Sequence, residues 1–461
     1  MFDKSYINKK IEELILSLDK ISKDKINALD LIDQLISRYN KDYDLTKGEN
    51  FIYLQKGANP KLVLHLNISN VLSRFSYGFL DKDNEKYLIT DKNPDIINPI
   101  LIFESLAKFS DLSFDILITM NNIYDKRMDF SILKNILRSD NIINFNLKQA
   151  NCLAENFASF TIVDIDIPIE RIDFNKDDFS FFSIGIKDLV GGNSGLDLDK
   201  VRLNAIKSLL GVVRKLKSKV DIEILSFDGG NRFDDIPNNA KFEICVHKEY
   251  IKDLIEVFDF EKNDFLQKTL KLEPNVNLYL EESDSNNYLP MTKDTFTHLA
   301  SFIELSINGA YAVDTSNGQL ISSSIISNAK TYNDYLNLVL VFRSLSNNGL
   351  KEMIEKTKLA CKVSNANLKT KYYIPAWKNI DHTLTDIFKN AYKQLKDQEL
   401  NIINTQYSIE GNLIFNALPV KMISLGVKYY KGDNNKFYSK LDDLSELVGL
   451  IGLVLSKIEE N

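Results

Sequence analysis

The pattern that most restricts the fold is an alternation of apolar strand segments with amphipathic helices, which stops near Phe179 and starts again after Trp377. The run "KLVLHLNIS" (61–69) is apolar enough to lie in a sheet that is covered on both faces. Apolar segments at 50–55, 114–120 and 141–146 predict further strands, and segments at 99–109 and 130–139 predict helices. This alternation is typical of an α/β sheet domain.

The middle third of the chain has a different texture. The strand segments "FSFFSIGIK", "DIEILSF" and "KFEICVH" surround a helix that we predict over 201–216, which is typical of an α+β unit. With 461 residues, the chain is also long enough for two domains. We therefore predict a discontinuous α/β domain, residues 1–177 and 374–461, interrupted by an inserted α+β domain, residues 178–373.

Charge and cysteine content limit the possible partners and compartments. The formal net charge is −7, so there is no basic excess to attract nucleic acid, and no segment is long and apolar enough to predict a membrane span. Cys152, Cys245 and Cys361 are odd in number and far apart, which fits buried thiols in a reducing compartment. We expect a cytoplasmic protein that binds neither nucleic acid nor membranes.

Two glycine-containing segments of the middle third carry a family resemblance. In "VGGNSGLDLDKVRLNAIKSLL" (190–210) a glycine loop precedes an Arg-x-Asn-Ala-x-Lys pattern, and "DGGNRFDDIPNNA" (228–240) pairs Gly-Gly with Ile-Pro and Ala. Together they resemble the lid domain of the aminoacyl-histidine dipeptidases, a di-zinc metallopeptidase family that includes peptidase D and relatives of carnosinase. In that family the first segment reads Gly-Gly-His-Ser-Gly and the second contains Gly-Gly, then Asn-Ala-Ile-Pro-Arg-Glu-Ala.

The rest of the chain follows the order of the same family. The matching segments are "HLNI" (65–68), "FIELSINGAYAV" (302–313), "YYIPAW" (372–377) and "QYSIEGN" (406–412). The resemblance implies a mixed-sheet, zinc-peptidase-like α/β domain interrupted by an α+β lid that also forms a homodimer. It further implies an active site in the cleft between the domains, where two zinc ions activate a bridging water.

The metal-binding positions of the family fall largely on neutral residues of this chain. His65 matches the first histidine ligand, but Asn67 stands where an aspartate would orient its ring. The family's paired glutamates fall on Asn121 and Asn122, and its aspartate ligand falls on Asn146. The final histidine ligand has no counterpart in 427–439.

Some of the remaining positions carried over from the family keep the family's residue type, and others do not. The bridging aspartate corresponds to Asp91 or Asp95. Asn193 replaces the lid histidine that would stabilise the oxyanion, and an amide can keep both a left-handed backbone and a hydrogen-bond donor there. Arg343 matches an arginine that would bind a substrate carboxylate, with an ordinary ion pair as the alternative, and Glu410 matches the family's glutamate. The remaining metal-ligand candidates are therefore His65 and Asp91.

These substitutions predict a pseudopeptidase that needs no cofactor and binds a small peptide or a protein partner in the cleft. The asparagines reflect either drift in an Asn-rich chain or an exchange of mutually repelling carboxylates for neutral amides once the metals are lost. Two alternatives remain: an active metal-dependent dipeptidase whose ligands are displaced in sequence, and a structural partner that uses only its dimer surface.

Overall fold

The chain divides into two compact units in the computed structural model. The first consists of Met1–Phe157, Trp377–Thr405 and Ile409–Asn461, and the second of Ala158–Ala376 and Gln406–Ser408. Both units combine helices with sheets, so the mixed α/β fold class predicted from the sequence is confirmed. The structure describes residues 4–19, 26–27, 32–34, 36–37, 43–68, 74–75, 77–91, 97–109, 113–120, 128–198, 200–284, 288–432 and 436–460.

The amino-terminal part of the first unit supplies the buried strands predicted from the sequence. Its elements are α1 (Lys4–Asp19), β1 (Ile26–Asn27), β2 (Asp44–Lys47), β3 (Phe51–Gln55), β4 (Val63–Asn67), β5 (Arg74–Phe75), β6 (Tyr77–Lys82), β7 (Glu85–Thr90), α2 (Ile97–Phe109), β8 (Asp115–Thr119), β9 (Asn141–Leu147) and β10 (Cys152–Phe157).

The helix predicted over 130–139 is wrong in type and length. A short 3₁₀ helix, Phe130–Asn135, is capped by the Asp129 side chain, which accepts a hydrogen bond from the backbone N–H of Ser131. It ends at Asn135, and three residues later Arg138 donates to the buried carboxylate of Asp115.

The second unit is built on one antiparallel sheet. Its strands lie in the order β17-β12-β16-β14-β19-β20-β11-β21, with β18 beside β19. Two further 3₁₀ segments are Lys176–Asp178 and Lys248–Tyr250. The other elements of the unit are β11 (Ser159–Pro168), β12 (Phe179–Lys187), β13 (Gly192–Asn193), α3 (Ala205–Lys217), β14 (Ile222–Gly229), β15 (Asp235–Ile236), β16 (Ala240–His247), α4 (Ile251–Thr269), β17 (Asn277–Glu282), α5 (Lys293–Leu305), β18 (Gly309–Val313), β19 (Leu320–Thr331), β20 (Tyr335–Ser344), α6 (Asn347–Val363) and β21 (Asn367–Ile374).

The chain then returns to the first unit and completes its sheet. The strand order is β2-β3-β8-β4-β9-β24-β10-β22, with β23 beside β10. Strands β8, β4, β9 and β24 are parallel, whereas β2, β3 and β22 pair antiparallel outside them. The returning elements are β22 (Trp377–Lys378), α7 (Thr383–Lys396), β23 (Asn401–Thr405), α8 (Gly411–Ala417), β24 (Lys421–Gly426), β25 (Tyr429–Lys431), β26 (Phe437–Lys440) and α9 (Leu441–Glu460).

The central strands of the first unit's sheet, β4 and β8, are buried on both faces, as their continuous apolar sequences require. Residues of α1, α2, α7 and α9 form one apolar core with the strands. In another part of this unit, Trp377 is fully buried and stacks on Phe157 and Phe415, with ring centroids 4.7 and 5.6 Å away. Because Trp377 is the single tryptophan of the chain, its fluorescence reports on the folding of this unit.

A network of hydrogen bonds holds the amino-terminal end of β8 in place. The fully buried Asp115 accepts hydrogen bonds from the Tyr53 hydroxyl (2.5 Å), from the backbone N–H of Lys56 (3.1 Å) and from the Arg138 guanidinium (2.5 and 2.9 Å). Burial and the hydrogen bond to Asp115 both raise the pKa of Tyr53, and the bond to Asp115 also raises the pKa of Arg138. These contacts join three separate segments of the first unit.

Cys152, Cys245 and Cys361 are free thiols, and their predicted burial is confirmed. Burial raises the pKa of Cys152 and Cys361 to about 11 and that of Cys245 to about 12. At neutral pH these side chains are therefore protonated thiols with little nucleophilic character. Among the described residues, no helix is long and apolar enough to cross a membrane.

Candidate functional site

Polar side chains of the first unit converge where its parallel strands end. His65 and Asn67 occupy alternate positions of β4 and therefore point to the same face, and Asn67 pairs in register with Thr119, the last residue of β8. On the other side of β4, His65 pairs with Asn144 of β9. The carboxyl ends of parallel strands are the usual place for a ligand site in an α/β sheet. We call His65, Asn67, Thr119, Asn144 and Glu410 the Glu410 cluster.

Both ring nitrogens of His65 are engaged by protein groups. The side chain is fully buried, with Nδ1 3.0 Å from Asn144 Nδ2 and Nε2 3.0 Å from Thr119 Oγ1. A neutral imidazole has one donor and one acceptor nitrogen, so the partners decide which nitrogen carries the proton.

The amide of Asn144 fixes that choice. Its Oδ1 accepts hydrogen bonds from the backbone N–H of Asn146 (3.0 Å) and from Ser424 Oγ (2.7 Å), so the amide nitrogen must face the other way. Nδ2 then donates to Asn146 Oδ1 (2.7 Å) and to His65 Nδ1. His65 is therefore a neutral ring with its proton on Nε2, and this proton is donated to Thr119.

Glu410, which immediately precedes α8, ends this chain of hydrogen bonds. Its side chain is almost completely buried, and its Oε2 accepts from Thr119 Oγ1 and from Asn67 Nδ2 (2.5 Å). His65 Nε2 lies 3.5 Å from the same oxygen. The other oxygen, Oε1, is buried without a hydrogen-bond partner. The hydrogen bonds therefore run in one direction: Asn144 donates to His65, His65 donates to Thr119, and Thr119 donates to the Glu410 carboxylate.

This donor set does not fit the zinc pair that the resemblance implies. A histidine ligand needs a free lone pair, and the lone pair of His65 Nδ1 already accepts from Asn144. Asn67 stands where the family has an aspartate and Asn144 is also a neutral amide, which leaves Glu410 as the one acidic side chain of the cluster. Within the described ranges, no group of three His, Cys, Asp or Glu residues is arranged to hold a metal ion.

The other residues carried over from the family lie in different places. Asn146 belongs to the same face of β9 and accepts from Asn144. Asp91 follows β7 in a small antiparallel sheet of β25, β26, β7 and β6, and is partly buried. Asp95, Asn121 and Asn122 lie outside the described residues, so their assignments remain predictions.

Asn193 lies in the second unit, in a loop whose backbone requires glycine. Gly191 and Gly192 have φ of +62° and +143°, and a Cβ on Gly192 would lie 2.9 Å from the Asp197 side chain. The Asn193 side chain accepts from the backbone N–H of Gly195 (2.8 Å) and donates to Asp234 (3.3 Å). The amide therefore helps to hold the shape of its own loop.

Arg343, on β20, is buried in the second unit next to the same loop. Its guanidinium lies 4.6 Å from the ring centroid of Phe160, and it donates to Ser194 Oγ (3.2 and 3.3 Å) and to the carbonyl of Gln406 (3.4 Å). These contacts tie the arginine to the loop that carries Asn193.

Two further residues hold the shape of this segment, and their roles were not predicted from the sequence. Asn204, of the Arg-x-Asn-Ala pattern, caps α3 by accepting from the backbone N–H groups of Ile206 (3.0 Å) and Lys207 (3.3 Å). The fully buried Glu273 accepts from the backbone N–H of Val190 (2.6 Å) and of Leu203 (3.3 Å). The Glu273 carboxylate therefore accepts hydrogen bonds from the first and last residues of the segment 190–203.

Replacing Glu273 by glutamine should loosen this loop. A glutamine offers one oxygen for two backbone donors, so one partly buried N–H loses a charged acceptor, at a cost of about 1–3 kcal/mol. We expect faster amide hydrogen exchange at Val190 and Leu203, measured by mass spectrometry. The exposed Glu282→Gln is the control and should leave the exchange unchanged; equal protection in both variants would contradict the proposed role of Glu273.

Comparison with known proteins identifies the fold. Aminoacylhistidine dipeptidase from Vibrio alginolyticus superposes with a TM-score of 0.75 at 16% identity, covering 94% of each chain. A tripeptidase from Staphylococcus aureus gives a TM-score of 0.57 at 12% identity over 100% of each chain. Human carnosine dipeptidase 1 gives 0.51 at 10% identity, over 99% of this chain and 98% of that one.

In sequence, the chain is 22% identical over 321 residues to the cytosol non-specific dipeptidase of Escherichia coli (strain K12), a match that covers 68% of this chain. The match spans 64% of the length of that relative. No model of a known protein family matches the chain. The resemblance to the dipeptidases is confirmed: the chain is homologous to this dipeptidase and has the mixed α/β fold of aminoacylhistidine dipeptidase.

Proposed function

We propose that the protein is a catalytically inactive relative of the metal-dependent dipeptidases, a pseudopeptidase that binds a small peptide or a protein partner. The observation that supports this most directly is the donation from Asn144 to His65 Nδ1, which uses the lone pair that a metal would need. The name of its cytosolic relative and the free, buried thiols support a cytoplasmic location.

The chemistry of metal-dependent hydrolysis explains why this observation matters. A catalytic zinc needs three protein ligands and an open position, and it lowers the pKa of its bound water so that hydroxide forms near neutral pH. The Glu410 cluster instead joins one carboxylate to neutral donors that already satisfy each other. Without a pair of cations, this arrangement has no means of generating the nucleophile.

Metal content and turnover test the proposal together. The full chain, dialysed after exposure to zinc or manganese, should retain far less than one metal ion per chain by elemental analysis. It should not hydrolyse dipeptides that end in histidine, under conditions in which the E. coli dipeptidase, as positive control, turns over its own substrates. About two metals per chain, together with turnover that His65→Ala abolishes, would show an active enzyme instead.

We further propose that the chain forms a homodimer through its second unit. Leu305, at the end of α5, and Val313, in β18, are 56% and 45% exposed, and closed two-fold dimers are the commonest oligomers. Light scattering at micromolar concentration should give twice the mass of the chain, and Leu305→Glu should shift it toward the monomer. Ile132→Glu, at an exposed position of the first unit, is the control; a monomeric parent protein would refute the dimer.

A further inference from the structure

The buried oxygen of Glu410 lacks the partner that a buried carboxylate requires. Glu410 is 2% exposed, and its Oε1 is sealed from solvent with no hydrogen bond. Burial of an unpaired charge is costly, and such groups are normally paired with a cation or fully hydrogen-bonded. Among the described residues, the single basic side chain within 4.0 Å of Glu410 is His65, which the Asn144 contact keeps neutral.

The net charge of the Glu410 cluster indicates the charge of the ligand that it can bind. Asn67, Thr119, Asn144 and the neutral His65 contribute no net charge, so the cluster has one negative charge on one carboxylate. Two zinc ions would bring four positive charges to this single anion. A single monovalent cation balances it.

We propose that the Glu410 cluster binds the protonated primary amine of its ligand, such as the amino terminus of a short peptide, with the ammonium donating to Glu410 Oε1. This rests on the proposed function, because an ammonium occupies the cluster in place of the metals. An ammonium brings three N–H donors, and one of them on a buried carboxylate forms a charge-assisted hydrogen bond.

An alkali-metal ion fits the cluster less well than an ammonium. Hard cations require several oxygen ligands around them. In the cluster, Oε2 of Glu410 accepts from Asn67 and Thr119, and Thr119 Oγ1 itself accepts from His65. An ammonium needs a strong acceptor more than a complete shell of oxygens, and Oε1 provides one.

Calorimetric titration of the full chain with glycylglycine and with N-acetylglycylglycine tests the proposal at constant potassium concentration. The two probes differ in the free amine, so acetylation should weaken binding by about tenfold or more, as expected for a hydrogen bond to a charged group. Glu410→Gln should weaken glycylglycine binding by a similar factor. Glu155→Gln changes another buried carboxylate of the same unit and should bind like the parent protein.

Structural integrity and the site of binding need their own readouts. Trp377 fluorescence during urea unfolding shows whether Glu410→Gln remains folded. Glu410→Asp provides a second variant, which keeps the carboxylate but shortens its side chain by one methylene. Glycylglycine should also shift the nitrogen NMR signal of His65 Nε2, because the His65 ring donates to the Thr119 hydroxyl that donates to Glu410.

The possible outcomes separate this inference from the proposed function. Equal binding of both probes, equal binding by Glu410→Gln, or no binding of glycylglycine would overturn the ammonium site. None of these results would restore a metal enzyme, so the pseudopeptidase would stand. Zinc binding that depends on His65 and Glu410 and is accompanied by hydrolysis of glycylglycine would overturn both.

Discussion

Replacing Asp115 by alanine is expected to lower the free energy of unfolding of the first unit by about 1–3 kcal/mol, the usual cost of leaving a buried donor without its acceptor. The change removes the acceptor of the Tyr53 hydroxyl, of the Lys56 N–H and of the Arg138 guanidinium. Buried donors without acceptors and a new cavity both oppose folding. Urea unfolding followed by Trp377 fluorescence measures the effect, since that tryptophan belongs to the same unit.

Two matched variants isolate the cause. Asp140→Ala removes an exposed carboxylate just before β9 and should change the stability by no more than about 0.5 kcal/mol. Tyr53→Phe removes a single hydroxyl and should cost less than Asp115→Ala. If Asp115→Ala unfolds at the same urea concentration as Asp140→Ala, the network does not stabilise β8.

Replacing Asn144 by aspartate should also destabilise the first unit, by about 3–5 kcal/mol, because it places a second carboxylate in the buried Glu410 cluster. An aspartate cannot donate to His65 Nδ1 or to Asn146 Oδ1. If the His65 proton moved to Nδ1 to compensate, Nε2 could no longer donate to Thr119, and the order of donors leading to Glu410 would be reversed.

Asn146→Asp is the control for this substitution, since it changes the same residue type two positions along the same strand. Asn146 Oδ1 serves as an acceptor from Asn144, which a carboxylate can also do, so we expect a loss of no more than about 1 kcal/mol and no gain of activity. Thermal unfolding with and without zinc completes the test. Strong stabilisation of Asn144→Asp by zinc would indicate that the metal site survives, contrary to the proposed function.

The alternation of apolar strands and helices made the fold predictable, whereas contacts between distant segments were not. The buried runs at 61–69, 114–120 and 141–146 do form β4, β8 and β9, because a strand covered on both faces needs apolar residues throughout. The helix predicted over 130–139 was wrong in type and length, and its periodicity also gave no sign of the contact between Arg138 and Asp115.

Family positions led to part of the candidate site and missed the residues that define its chemistry. The family match points to Asn146, but the neighbouring Asn144 is the residue that contacts His65. Thr119 was missed because matching the family's metal ligands does not single out a threonine. Its place at the end of β8, beside Asn67, could have indicated that it belongs to the site. Glu273 acts on backbone N–H groups far from it in sequence, and no local pattern reveals such a contact.

The two ends of β8 have different roles: the contacts at one end stabilise the fold, and the residue at the other end belongs to the candidate site. Asp115 fastens the amino end of the strand, while Thr119 at its carboxyl end belongs to the Glu410 cluster. Substitutions around Thr119 therefore leave the contacts of Asp115 at the other end of the strand intact. Because Asn144 donates to His65 Nδ1 and to Asn146 Oδ1, the single substitution Asn144→Asp is expected to destabilise the fold. Under the proposed function, a metal site would therefore return only through several substitutions together.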